Sequence, residues 1–300
     1  RLAMDGNAPE TLASFNPASQ EPAGQPAKPP ARLEVSTAAT ANSGWAAAVG
    51  AGRVKTRKAA AKLLVLSMLA GVHVGFGALL SSTVGGDLVG LKNEDNGGLA
   101  KLVTGAYGYP MGLFMVVVTG AELATSNFAM CTAALLDRRA TPGGVLYNWG
   151  IVYFGNLCGA LLLALLVTGA DVAGDDHPAV ALAEKKVQLE WGPAVARGIL
   201  CNALVCMAVY TSYFTYDLVS KAVAIFLPIS AFVSLGFEHC IANSFLIPLG
   251  MLNGADVSVG EYLGSNLIPV TIGNLIGAVS FVSLPYWLPP PHTTPPSCGG

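Results

Sequence analysis

Apolar stretches about as long as a lipid bilayer is thick recur along most of this chain. A helix that crosses the hydrocarbon core needs about 20 such residues. Hydrophobic residues make up 53% of the 300 residues and charged residues only 11%, against about 25% charged in a typical soluble domain. Because so few charged side chains cannot cover a water-facing surface of this size, the sequence predicts an all-α protein with several membrane spans.

Six spans are predicted, two of them interrupted. They cover residues 59–84, 102–119 resuming at 127–136, 147–168, 194–214, 222–235 resuming at 243–252, and 263–286. The ends, residues 1–43 and 289–300, are rich in Ala, Pro, Ser or Gly and are predicted to be disordered. Residues 44–288 then form the transmembrane domain.

The loop charges indicate how these spans are oriented. Six spans place both termini on one side, where eight cations and two acids lie, whereas five cations and ten acids lie on the other side. Because cationic loops stay in the cytosol, the termini are predicted to face the cytosol or its equivalent inside an organelle. The formal net charge of −2 gives no reason to expect a nucleic acid as a partner.

The two halves of the chain resemble each other. The string GNLCGA that begins at Gly155 recurs as GNLIGA from Gly273, and GAE from Gly120 recurs as GFE from Gly236. Either match alone would be weak evidence, because small residues are common where membrane helices pack closely. Two matches in the same order predict a repeat of three spans per half, and an odd number of spans inserts the halves in opposite orientations.

Two acids and one histidine lie at the interruptions of the predicted spans. Glu122 and Glu238 are the only carboxylates inside apolar spans, and we expect them to bind the free ends of the broken helices rather than a solute. His239 follows Glu238 at the depth where two half-helices would meet, and it could donate a hydrogen bond or a proton there. The alternative for His239 is a buried ring bonded to a carbonyl group.

The string GFEHCIAN from Gly236 to Asn243 resembles a signature of the formate/nitrite transporter family. GAELATS from Gly120, YFGNL from Tyr153 and AEKKV from Ala183 match other segments of that family in the same order, so the resemblance covers about residues 59–286. It implies an aquaporin-like protomer, a homopentamer, and an anion pathway through each subunit.

The resemblance also implies roles for individual residues. The substrate pore would contain His239 as the central histidine, Thr125 as its partner, Lys186 in a vestibule, and polar contacts from Asn202 and Asn274. Two hydrophobic constrictions would flank the histidine: an outer one of Tyr109 and Phe232, and an inner one of Leu113, Leu123 and Ala124.

Two constriction residues depart from the bacterial pattern of the family. Ala124 and Tyr109 each stand where a phenylalanine is usual, which would widen the inner gap and add a hydroxyl group to the outer one. These changes suit a bulkier or more hydrated anion, and they make the chain most similar to a green-algal plastid-envelope branch associated with bicarbonate and nitrite. The expected location is therefore the chloroplast inner envelope, with the plasma membrane as the alternative.

The predicted function is passage of a small monovalent inorganic anion, bicarbonate or nitrite, with lipid and further copies of the chain as the other partners. Alternatives are a proton-coupled weak-acid transporter of the formate/nitrite type and an aquaporin-like channel for neutral solutes, although the paired Asn-Pro-Ala turns of aquaporins are absent. An intramembrane enzyme is disfavoured because the sequence lacks H-E-x-x-H and G-x-S-x-G patterns. No metal or other cofactor is expected.

Overall fold

The computed structural model describes residues 40–91, 96–172 and 177–288, which form helices joined by short turns. A single 3₁₀ turn, Val89–Leu91, follows the second helix. The α-helices that carry the argument below are α1 (Ala41–Lys55), α2 (Ala60–Asp87), α3 (Gly97–Ala106), α4 (Tyr109–Thr119), α5 (Ala124–Leu136), α6 (Pro142–Gly169), α7 (Ala179–Val187), α8 (Trp191–Ser212), α9 (Leu218–Ser234), α10 (Cys240–Leu252) and α11 (Val259–Trp287). Helix α11 contains two π-helical stretches, Tyr262–Leu267 and Val279–Ser283.

Five helical segments of the described chain are long and apolar enough to cross a bilayer by themselves. They are Ala60–Gly86, Gly97–Thr119, Pro142–Gly169, Trp191–Ser212 and Val259–Trp287. Three further apolar helices, α5, α9 and α10, are shorter, at 13, 17 and 13 residues. The prediction of an all-helical membrane protein is confirmed, and the short helices lie where the sequence predicts interrupted spans.

Each interruption begins with a glycine in the left-handed region of backbone space. Gly120 and Gly236 both have φ of +72°, and each is followed by three non-helical residues before the next helix begins. The last of the three, Leu123 or His239, is extended. A residue with a side chain is disfavoured by about 1–2 kcal/mol in this region, so glycine ends α4 and α9 with the least backbone strain. The next helices begin at Ala124 and Cys240, three residues earlier than predicted. The reason is that polar side chains bond within the first turns: Ser126 donates to the carbonyl oxygen of Leu123, and His239 accepts the N–H of Ala242.

Several structural features are absent from the sequence prediction. Helix α1 begins at Ala41, inside the segment predicted as disordered, and Thr40 caps it by accepting the backbone N–H of Ser43. The predicted second span contains a further break between α3 and α4, where Gly108 has φ of +118°. Helix α7, which carries Lys186, is likewise not among the predicted helices. The rest of both predicted disordered ends, residues 1–39 and 289–300, lies outside the described residues, as do Lys92, Glu94, Asp95, Asp175 and Asp176 of the loop-charge count.

Close backbone packing joins the long helices in pairs. A side chain at Gly159 on α6 would collide with the backbone of Met68 on α2, and one at Gly277 on α11 would collide with the backbone of Ile199 on α8. Small residues at such contacts let membrane helices approach closely. Because Gly159 and Gly277 are the corresponding glycines of the repeated strings, these strings mark equivalent packing contacts in the two halves.

Candidate functional site

The two interrupted segments bring His239 and Thr125 together. His239 is the N-cap residue of α10, and Thr125 lies in the first turn of α5. The Nε2 atom of His239 lies 2.9 Å from Oγ1 of Thr125, and both side chains are buried. Residues 114 positions apart in the chain therefore meet as the resemblance implies.

The cap fixes which nitrogen of the imidazole carries the proton. The backbone N–H of Ala242 donates to Nδ1 of His239 over 3.1 Å. Because a backbone amide only donates, Nδ1 must accept, and in the neutral ring Nε2 then holds the hydrogen and donates it to Thr125 Oγ1. The hydroxyl hydrogen of Thr125 remains available to donate to a third group.

Aromatic rings cover the histidine on one side. The rings of Tyr109 and Phe232 meet edge to face at 5.7 Å between centroids, and the ring of Phe232 lies 6.2 Å from that of His239. Tyr109, on α4, and Phe232, on α9, are thus brought together as the predicted outer constriction requires. Apolar rings at this place disfavour hydrated ions.

The three residues of the predicted inner constriction share one apolar cluster. Leu113 is 4% exposed, Leu123 1% and Ala124 0%, and all three belong to the same buried core as Phe232. Ala124 is the first residue of α5 and directly precedes Thr125. Ala124 is therefore the chain neighbour of Thr125, and its methyl group is buried in the apolar core.

Asn202 supports the backbone beside the polar pair. Its Nδ2 donates to the carbonyl oxygen of Thr125 over 3.0 Å and to that of Asn274 over 2.7 Å. The Sγ atom of Cys206 also donates to the Thr125 carbonyl. The Oδ1 atom of Asn202 is buried and has no hydrogen-bond partner among the residues that the structure describes.

Asn274 is placed differently from the expectation that it contacts the substrate. Its Oδ1 accepts the backbone N–H of Cys240 over 2.9 Å, and its Nδ2 donates to the carbonyl oxygens of Gly198 and Glu238. Two of these partners, Cys240 and Glu238, lie at the break between α9 and α10, and the third, Gly198, belongs to α8. The amide of Asn274 therefore holds the broken helix together, because buried backbone groups need partners in lipid.

Asn156 holds the other break in the same way. Its Oδ1 accepts the backbone N–H of Ala124, and its Nδ2 donates to the carbonyl oxygens of Ser67 and Glu122. The first amides of the two broken helices are thus bound by asparagines from α6 and α11, not by Glu122 and Glu238 as expected. The carboxylates are instead bound by side chains.

Glu238 lies in a charged network at the second break. Both of its carboxylate oxygens accept hydrogen bonds from Lys186 Nζ at 2.9 Å, and Oε2 also accepts from Asn243 at 2.7 Å. Asn243 donates to Asn266, whose amide donates to the carbonyl oxygen of Lys186. Lys186 is consequently the ion-pair partner of Glu238 rather than a free cation.

Glu122 has a matching network at the first break. It is fully buried, accepts a hydrogen bond from Lys55 at 2.8 Å, pairs with Lys58, and accepts one from Asn127 at 2.7 Å. Asn127 donates to Asn148, whose amide donates to the carbonyl oxygen of Lys55. The same chain of contacts therefore occurs twice. The acids and asparagines of the two networks correspond at a spacing of 116 or 118 positions, whereas the lysines do not correspond.

Replacing Asn156 by Leu is expected to destabilise the folded chain strongly. The change leaves the N–H of Ala124 and the carbonyls of Ser67 and Glu122 without their side-chain partner, and each unpaired buried group costs about 1–3 kcal/mol. The apparent melting temperature in detergent should fall by about 10 °C or more. Thr119→Val, which removes only an exposed bond within α4, is the control; equal melting of the two variants would contradict the assignment.

A cavity of about 860 Å³ reaches the histidine from one side. Its wall contains His239 of the polar pair and both residues of the outer constriction, Tyr109 and Phe232. It also contains Glu238 and four cationic residues from three other helices: Lys101, Lys185, Lys186 and Arg197. Thr125, Asn202 and the inner constriction do not line it. Arg197, Lys55, Lys58, Asn148 and Asn266 were missed from sequence; the 118-residue spacing could have identified Asn148 and Asn266.

Comparisons with known proteins agree on one family. The model of the family described as "Formate/nitrite transporter" matches residues 43–288. A protein described as "Probable formate transporter" from Methanothermobacter thermautotrophicus is 38% identical over 252 residues, which are 78% of this chain and 90% of that protein.

Two solved structures are also similar to the chain. One is described as "FNT family ion channel"; it has a TM-score of 0.73 and 28% identity, and the match covers 85% of this chain and 98% of that one. The other is described as "Pentameric formate channel with formate bound"; it has a TM-score of 0.66 and 31% identity, and the match covers 76% and 96% of the two chains.

Proposed function

The chain belongs to the formate/nitrite transporter family, and on that basis we propose that it passes small monovalent weak-acid anions across a membrane. The observation that carries the proposal is the buried Thr125–His239 pair, whose histidine shares the wall of the cavity with the Tyr109–Phe232 rings. A narrow apolar gate with a hydrogen-bond donor behind it removes water from an ion and replaces it with a polar contact.

In the proposed mechanism Thr125 contacts the anion and His239 orients Thr125. Because Nδ1 of His239 accepts the Ala242 amide, the ring donates from Nε2 to Thr125 Oγ1, and the threonine hydroxyl donates onward to the anion. Hydrogen bonds to a charged acceptor are about twice as strong as neutral ones. A full proton transfer from the ring would first require protonation at Nδ1 and loss of the Ala242 bond.

The duplicated networks support a proposed architecture for the pore. We propose six membrane crossings, with α4–α5 and α9–α10 as two interrupted crossings related by an inverted repeat. The matching Glu122 and Glu238 networks and the two glycines with equal φ support this arrangement. By similarity to the channel described as pentameric, we propose that five copies assemble, each with its own pore.

Formate and nitrite are the proposed substrates, because the family is described as formate/nitrite transporters and two similar proteins are described as a formate transporter and a formate channel. Bicarbonate remains a second candidate on one observation: Ala124, which is buried and directly precedes Thr125 at the start of α5, carries a methyl group where the bacterial pattern of the family has an aromatic ring. The comparisons give bicarbonate no support. They also give none to the chloroplast envelope, so we propose the plasma membrane as the location, to be tested by imaging the tagged chain.

The experiment that tests the proposal is anion uptake by liposomes that contain the purified chain. We expect formate and nitrite to enter at least tenfold faster than in empty liposomes, and glycerol to enter no faster. Bicarbonate uptake decides the second candidate. Uptake of glycerol but not of anions would show a neutral-solute channel and would contradict the proposal.

Replacing Ala124 by Phe is expected to change selectivity by size. The added ring should lower uptake of bicarbonate, if the wild-type chain transports it, by more than tenfold, and uptake of formate by less than threefold. Ala124→Ser, which adds little volume, should leave both rates near the wild-type values. Equal losses for the two anions in the phenylalanine variant would remove the argument from the inner constriction.

A further inference from the structure

His73 is a polar residue at the middle of α2 that takes no part in the site described above. The helix has 13 residues before it and 14 after it, and it is long and apolar enough to cross a bilayer. The side chain therefore lies near the centre of the membrane. His73 is not among the described residues that line the cavity. Because an ionisable side chain at this depth is costly, it normally faces a polar partner.

The imidazole of His73 is not anchored within its own protomer. Its Nδ1 atom is buried and has no hydrogen-bond partner among the residues that the structure describes. The side chain is nevertheless partly exposed, so its exposed part lies toward the opposite edge of the imidazole, which carries Nε2. Because no described residue accepts a hydrogen from Nδ1, the neutral imidazole is better placed with its hydrogen on Nε2, from which it can donate outward.

Exposed apolar side chains surround His73 on the outer surface of α2. Leu69, Phe76 and Leu80 lie within two helical turns of it on the same side of the helix, and all three are exposed. These four residues are called the His73 face below. Helix α4 packs beside it, because a Cβ atom at Gly112 would lie 2.8 Å from the carbonyl oxygen of His73. Lipid tails carry no hydrogen-bond acceptor, so lipid alone leaves the Nε2–H without a partner.

We propose that the His73 face is a contact surface for a second copy of this chain, and that Nε2 of His73 donates a hydrogen bond to an acceptor of that copy. The proposal rests on the proposed function, because the proposed assembly of five copies supplies the neighbour. Membrane helices associate through close packing and through hydrogen bonds between polar side chains, and this face offers both. In a closed cyclic assembly each copy uses two different faces, of which this is one.

Photo-crosslinking tests which molecule covers the His73 face. Phe76 is replaced by the photoreactive residue p-benzoylphenylalanine, and this variant is produced in lipid together with a wild-type chain that carries a different tag. We expect illumination to join the two tagged chains covalently. A crosslink to lipid alone, a crosslink within one chain, or no crosslink between the two tagged chains would contradict the contact surface.

Substitution of His73 tests the hydrogen bond itself. Assemblies that carry two different fluorescent labels are mixed in detergent, and the exchange of subunits between them is followed by energy transfer. His73→Leu should exchange subunits about tenfold faster than the wild-type chain, because each copy loses a hydrogen bond to its neighbour. His73→Gln keeps an N–H donor near the position of Nε2 and should stay within about threefold of the wild-type rate.

Further measurements separate this contact from the pore and from folding. Formate uptake by His73→Leu should stay close to that of the wild-type chain, because His73 does not line the described cavity. Tyr216→Phe, which alters an exposed residue between α8 and α9, should change neither uptake nor subunit exchange. Melting temperatures establish that the variants are folded. Equal exchange rates for His73→Leu and the wild-type chain, or for His73→Leu and His73→Gln, would contradict the hydrogen bond.

The outcomes distinguish the two proposals. If the chain assembles and transports formate but the tagged chains are not joined through position 76, the contact surface is wrong while the proposed function stands. If the chain assembles and the tagged chains are joined but no anion is transported, the proposed anion passage is wrong while the contact surface stands. A wild-type chain that is a monomer in lipid would contradict the contact surface and the proposed assembly together.

Discussion

Replacing Thr125 by Val should reduce formate uptake by about 10- to 150-fold while the chain stays folded. Valine has nearly the shape of threonine but lacks the hydroxyl that contacts His239 and that, in the proposed mechanism, donates to the passing anion. A hydrogen bond to a charged group contributes about 1.5–3 kcal/mol, and each 1.36 kcal/mol changes a rate tenfold. The measurement is the initial uptake rate in liposomes loaded with equal amounts of each variant.

Thr125→Ser is the matched control for that prediction. Serine keeps the hydroxyl and removes one methyl group, so its uptake rate should remain within about threefold of the wild-type rate. If the valine variant transports formate as fast as the serine variant, Thr125 does not donate to the anion. The hydroxyl would then serve only as a partner for the buried imidazole.

Replacing Glu238 by Gln should destabilise the chain by about 3 kcal/mol. The change leaves the ammonium group of Lys186 without its counter-charge, and breaking a buried ion pair in this way costs about 3–5 kcal/mol. The lower value applies because Lys186 is 15% exposed and can partly reach water. The apparent melting temperature in detergent should fall by about 6–12 °C.

A second substitution tests the cause of that loss. In Glu238→Gln/Lys186→Met no unpaired charge remains, so the double variant should recover most of the lost melting temperature. Lys62→Gln, which removes an exposed cation, should melt like the wild-type chain. A double variant no more stable than Glu238→Gln would show that the carboxylate acts mainly through Asn243, to which it is also bonded.

The position of the site could be predicted from the sequence because acidic residues are rare inside apolar spans. Glu122 and Glu238 are the only acids within the predicted apolar spans, and polar residues in a membrane are costly enough to mark a break or a pathway. Gly120 and Gly236, which stand two positions before these acids in the repeated strings GAE and GFE, mark the same breaks. These observations need no knowledge of distant contacts.

The partners of those acids could not be predicted in the same way. Lys55 and Lys58 lie 67 and 64 positions before Glu122, in a segment that resembles an ordinary cationic loop. The resemblance implies that Lys186 lies in a vestibule of the pore. Its pairing with Glu238 could not be predicted, because it depends on how α7 packs against α10. Helix α1 was missed because its Ala- and Gly-rich sequence has little apolar periodicity, and its packing against α5 decides its fold.

Asn274 shows the same limit at the level of one side chain. A polar residue in a predicted span is a reasonable candidate for contact with a substrate. Its two bonds to backbone atoms at the break, and its third bond to Gly198 on α8, become visible only when α8, α10 and α11 are packed together. The corresponding bonds of Asn156 in the other half explain why both breaks are stable in an apolar surrounding.

The most direct test of the central claim is an experimentally determined structure of the chain in lipid with formate present. The account predicts a formate oxygen within hydrogen-bond distance of Thr125 Oγ1, in a passage that continues from the cavity past His239. A structure in which the imidazole faces only packed side chains, with no passage beside it and formate bound elsewhere, would contradict the account.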